Sequence, residues 1–122
     1  METFENHFFN PIRDTVIQPD GIGIRENKEF NAKIIFYVNV KDSIITAIDY
    51  KVKACPVAIA VASFLAKTFK NKPSDEALDI DLNFLDSHLL NIPRQRIECG
   101  DITLEAFQEA VIKAIINTEE AK

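Results

Sequence analysis

Two residues in this chain of 122 stand out for their chemistry, Cys55 and Cys99. Each falls just before a segment whose pattern predicts a helix, where unpaired N–H groups and the helix dipole favour a thiolate over a thiol. A thiolate is what metal binding or sulfur transfer requires. Cys99 is flanked by Glu98, Gly100 and Asp101, a polar stretch that reads as an exposed loop. If the fold brings residues 55 and 99 to one edge of a sheet, the pair together with Glu98 forms an incomplete metal site. Cys55, between an apolar strand and an apolar helix, also suits the role of a small core residue. Two cysteines are too few for a disulfide scaffold.

Other candidates point to structure. His7 sits among aromatics and His88 among leucines, and neither has a second ligand-type residue at metal-site spacing. Gly21-Ile22-Gly23 lacks the third glycine of a nucleotide loop and reads as part of a turn, with Asp20-Gly21 supplying left-handed geometry. The acid pairs Asp79/Asp81 and Glu119/Glu120 have no apolar pocket to separate their proton affinities, so they read as surface charge.

The elements that must position the cysteines follow from hydrophobic periodicity. Ala32, Ile34, Phe36, Val38 and Val40 alternate with Lys33, Ile35, Tyr37 and Asn39, the pattern of a half-buried strand. Ile44 to Ala54 repeats it, with Ile44, Thr46, Ile48, Tyr50, Val52 and Ala54 inward and Asp49, Lys51 and Lys53 outward. The short Lys41-Asp42-Ser43 connection predicts an antiparallel hairpin. Ile22 to Phe30 adds a third strand through Asn31, a residue that tolerates positive φ. Pro56 then opens a helix, and nine of the ten residues from Val57 to Ala66 are apolar, so this helix is buried on most sides. Short helical segments follow near 74–80 and 82–90. Residues 97–100 read as a connector before a last helix striped by Leu104, Phe107, Val111, Ala114 and Ile115. At the other end, Phe4, Phe8 and Phe9 suggest a short helix or arm packed on the core. Strands followed by helices, without alternation, give an α+β fold.

Composition narrows the function. The length fits one domain spanning residues 1–122, and 47% hydrophobic with 27% charged residues excludes a wholly disordered chain. A net charge of -5 supplies no general field for nucleic acid. Ala54 to Ala66 is the longest uncharged run, short of the roughly 20 residues that span a bilayer. The charged N-terminus does not resemble a secretory signal, and a cytoplasmic location follows as an expectation.

The order of the segments HFFNP, PDGIG, three strands, KACPVAIAVAS, KPSDEAL and IPRQRIEC resembles the NifU/IscU-type iron-sulfur cluster assembly scaffolds from residue 2 to about 117. The resemblance implies a three-stranded antiparallel sheet covered by helices. It further implies a non-enzymatic protein that builds a transient binuclear cluster from iron and from sulfide delivered by a cysteine desulfurase, then passes it to acceptor proteins. The family's second and third cysteines correspond to Cys55 and Cys99. Its first cysteine, followed by Gly-Asp, is replaced by Phe30-Asn31-Ala32, and the histidine often found before the third cysteine is Glu98. The chaperone-recognition motif is reduced to Ile92-Pro93-Arg94-Gln95-Arg96. A binuclear cluster needs four ligands, preferably thiolates, whereas zinc accepts mixed sulfur and oxygen ligation with water. The expected ligands are therefore Cys55, Cys99 and Glu98, holding an iron-sulfur cluster, iron or zinc. The alternative is a metal-free module that binds a desulfurase or a cluster acceptor.

Overall fold

The computed structural model describes residues 2–16, 18–29, 31–53, 56–93 and 97–120, with the side chain of Ile97 excepted. In chain order the elements are α1 (Phe4–Phe9), β1 (Gly21–Asn27), β2 (Ala32–Lys41), β3 (Ile44–Lys53), α2 (Pro56–Phe69), α3 (Ser74–Leu78), α4 (Leu82–His88) and α5 (Ile97–Glu120). The strands form one antiparallel sheet in the order β1-β2-β3. Asn31, at φ 49°, sits in the β1–β2 connection, and Asp42 and Ser43, at φ 53° and 65°, turn β2 into β3. Paired positive φ values match the right-handed strand twist that a tight hairpin needs.

The alternation on β2 holds throughout: Ala32, Ile34, Phe36, Val38 and Val40 are all buried. On β3 it holds for Ile48 and Tyr50 but fails at the start of the strand. Asn39 pairs with Ala47 and Val40 with Ile45, so Thr46 is passed over in a bulge. The extra residue inverts the facing, burying Ile45 completely and turning Thr46 outward, against the inward placement expected for Ile44 and Thr46. Thr46 Oγ1 donates to the Asn39 carbonyl at 3.2 Å. Ala54 lies outside the described residues.

Helices cover one face of the sheet. Pro56 occupies the first position of α2, where its missing N–H is not needed, and Asn71 (φ 67°) follows the helix in the left-handed region. Phe64, Leu65 and Ala60 are buried, as expected of this helix. Phe36 meets Phe107 of α5 with ring centroids 5.4 Å apart, and Phe107 meets Phe69 of α2 at 5.7 Å. Such pairs contribute roughly 0.5–1.5 kcal/mol each beyond the area they bury.

The glycines of β1 do a different job from the one the sequence suggested. No glycine has positive φ, and Gly21 is the first residue of β1 and not the left-handed corner of a turn. A Cβ on Gly21 would lie 2.1 Å from the Ala110 carbonyl oxygen, and one on Gly23 would lie 1.9 Å from that of Ala106. The strand rests directly on the backbone of α5, along a face kept small by Ala106, Ala110 and Ala114.

Both sheet edges are occupied. On β1, Ile24 N donates to Glu109 Oε1 at 2.9 Å, and Arg25 Nη1 donates to Glu109 Oε2 at 2.6 Å. On β3, Asp14 N donates to the Ile48 carbonyl at 2.9 Å, while Asp14 Oδ2 accepts from Ile48 N at 3.0 Å. Unpaired strand edges invite association with other chains, and these contacts blunt them.

Candidate metal or cluster site

Cys99 does not stand in a loop. The connector expected at residues 97–100 is the first turn of α5, and Cys99 is buried, with 2% of its surface exposed. The local pattern concealed this because Glu98 and Asp101 flank it, yet they fall on other sides of the helix. Consecutive residues are about 100° apart around the axis, so Glu98 faces solvent while Cys99 and Gly100 face inward.

Gly100 explains how this turn is held. A Cβ at this position would meet Val61 Cγ2 at 3.7 Å and Val57 Cγ1 at 3.9 Å, so the start of α5 packs against the first turns of α2. Thr103 closes the turn from within, its Oγ1 donating to the Cys99 carbonyl at 2.6 Å.

Cys55 and Phe30 lie outside the described residues, and so do Arg94, Gln95 and Arg96 of the shortened chaperone motif. Ala32, which stands where the family's aspartate is expected, is buried on β2 opposite Asn27. Among the described residues, no three side chains of His, Cys, Asp or Glu converge in a way that could hold a metal ion.

The two histidines sit in different surroundings. His88 is exposed and stacks on Phe84 with ring centroids 4.2 Å apart. His7 is the buried residue of α1, and Phe9, expected on the core, is 74% exposed instead. The six-residue helix buries one narrow face, and that face belongs to His7. Its Nδ1 lies 2.6 Å from Ser63 Oγ, and its Nε2 contacts Glu2 Oε2. Ser63 Oγ also accepts from Ile12 N at 2.8 Å, while Tyr50 OH donates to the Ile12 carbonyl at 2.8 Å. Lys67 donates to Glu2 Oε1 at 2.5 Å and holds that carboxyl below the usual carboxylate range, with His7 adding to the effect. Burial pushes the Tyr50 phenol up, keeping it a neutral donor.

Serine, histidine and carboxylate are the composition of a hydrolytic triad, but Ser63 is completely buried and already accepts from a backbone amide. No substrate carbonyl reaches it. The network fastens the N-terminal segment to α2 and β3, and sequence reasoning missed Ser63 because a lone serine in an apolar helix carries no local signal.

The NifU-like N terminal domain model matches residues 2–119. The chain belongs to this family. It is 30% identical over 108 residues to the iron-sulfur cluster assembly scaffold protein IscU 1 of Archaeoglobus fulgidus, covering 88% of this chain and 71% of that protein. It is also 30% identical over 109 residues to the scaffold protein IscU of Aquifex aeolicus, covering 87% and 69%. In fold it is similar to the N-terminal part of a NifU-like protein from Brucella abortus, with a TM-score of 0.73 and 17% identity, over 93% of this chain and 92% of that one. The family and the α+β architecture implied by the resemblance are thus both found. No described helix of this NifU-family chain is long and apolar enough to cross a membrane.

Proposed function

We propose that this chain is a divergent scaffold of cytoplasmic iron-sulfur cluster assembly, a carrier and not an enzyme, that holds iron, zinc or a labile cluster through Cys55 and Cys99. Glu98 is the proposed third ligand, reaching from the solvent side of the same helix turn. A cysteine desulfurase would supply sulfide, and acceptor proteins would take the cargo. One observation carries the reading: Gly100 packs on Val57 and Val61. Gly100 follows Cys99 in the chain, and Cys55 precedes Pro56, which opens α2. The packing therefore supports a shared site at the joined starts of α2 and α5.

With two thiolates and one carboxylate, the proposed ligand set is short of the four a binuclear cluster prefers. Solvent or a partner's side chain would complete it, which fits a cargo held loosely and released readily. Zinc suits the same mixed set.

A second reading, a metal-free module that binds a desulfurase or an acceptor, is favoured by the divergence of Glu98 and Cys99 around the helix. Metal analysis of protein purified without oxygen separates the two. The scaffold reading expects iron or zinc at about one atom per chain or less, lost in the Cys55→Ser, Cys99→Ser double variant. A parent chain as metal-poor as the variant, even after incubation with iron and sulfide, would favour the metal-free module.

A further inference from the structure

The sheet face turned away from α2 and α5 has an unusual charge arrangement. Lys33 on β2 stands directly opposite Lys53 on β3, both exposed. Lys51 lies two residues before Lys53, on the same side of the strand, and is exposed too. Like charges directly opposed across a sheet are destabilising. None of the three forms an ion pair among the described residues, although Glu26 is the β1 neighbour of Lys33. Elsewhere Arg25, Lys67, Lys70 and Lys113 all find carboxylates. In a chain with nineteen acidic residues and a net charge of -5, three lysines gather on one face with Glu26 as the cross-strand carboxylate beside Lys33, and Lys51 and Lys53 have no acidic residue paired with them across the strands.

Beside them the same face is apolar. Ile24 pairs with Ile35, which in turn pairs with Lys51, so isoleucine and lysine lie in one row across the strands. Ile22 and Ile24 are 39% and 46% exposed. Apolar centres with charged rims are the make-up of protein interfaces.

We propose that this face docks an acidic protein surface whose apolar residues cover Ile22, Ile24 and Ile35 and whose carboxylates neutralise Lys33, Lys51 and Lys53. A nucleic acid would match the lysines but offers the isoleucines only a charged backbone, and the remainder of this acidic chain would repel it. An anionic bilayer meets the same repulsion. The inference is independent of what Cys55 and Cys99 hold.

The test uses the full chain and two labelled helical peptides, one with a leucine stripe flanked by glutamates and its twin with lysines in their place. Fluorescence anisotropy should show binding of the glutamate peptide, weakened by salt. The K33E/K51E/K53E variant should lose about tenfold or more in affinity for it, about 1.4 kcal/mol, and should bind the lysine twin instead. Ile24→Asp should weaken the glutamate peptide while leaving the salt dependence in place. The K33Q/K53Q variant should be at least as stable to heat as the parent, since a repulsion has been removed. The proposal is overturned if the parent binds neither peptide or both alike, or if the triple glutamate variant retains the parent's preference. Tighter binding of duplex DNA or of phosphatidylglycerol vesicles than of the glutamate peptide would overturn it too, as would a K33Q/K53Q chain less stable than the parent.

Discussion

A Cβ placed on Gly23 would fall 1.9 Å from the carbonyl oxygen of Ala106, so β1 and α5 touch backbone to backbone. Neither partner has a flexible side chain that can move aside. Gly23→Ala should therefore destabilise the fold by on the order of 3 kcal/mol, the upper range for overpacking. Gly100→Ala should do the opposite. Its Cβ would meet only ordinary contacts at 3.7 and 3.9 Å, and alanine in a helix is favoured over glycine by about 0.5–1 kcal/mol. Chemical denaturation of both variants checks the pair, and equal effects would refute the backbone contact.

Ser63 carries the second prediction. Ser63→Ala leaves His7 Nδ1 and Ile12 N without their buried partner, which should cost about 1–3 kcal/mol. The loss should be local before it is global, with amide exchange speeding up first in residues 3–14, the segment this hydroxyl fastens. Uniform exchange throughout the chain would show that the N-terminal segment is not separately held.

Acid should loosen the β1 edge. Arg25 holds the Glu109 carboxyl below the usual carboxylate range, with Ile24 N adding a second hydrogen bond. Because the folded value is the lower one, the stabilisation is complete above the unfolded value of about 4.3 and is lost as pH falls through the folded value. Glu109→Gln should be less stable than the parent at neutral pH, and the difference should shrink below about pH 4. A gap that stays constant from pH 7 to about pH 3 would argue against the ion pair as its source.

Restoring the family's first ligands should raise cargo occupancy at a price in stability. Phe30→Cys with Ala32→Asp takes the proposed set from two thiolates to three and adds a carboxylate. Ala32 is only 3% exposed, however, so an aspartate there is buried unless it finds a metal or a hydrogen-bond donor. Visible absorption after incubation with iron and sulfide should rise in the variant, while its melting temperature falls without metal and recovers with it. Equal absorption in parent and variant would show that the vacancy at 30 and 32 is not the limiting defect.

The sequence alone determined whatever depends on local period and local chemistry. Alternation fixed the facing of β2 from Ala32 to Val40, Pro56 and the apolar run after it marked α2, and Asn31 marked the β1–β2 connection, because each signal lies within one element. Family membership was legible for the same reason, being carried by short segments in a set order. Tertiary structure alone decided what depends on approach between distant segments. Thr46 turns outward at the bulge between β2 and β3, Gly21 and Gly23 serve the backbone of α5, and Cys99 is buried in the helix turn whose Gly100 packs on α2. His7 and Ser63 lie 56 positions apart and meet at 2.6 Å. A side chain's environment is set by neighbours that the chain brings together only when it folds, and no periodicity in the sequence records them.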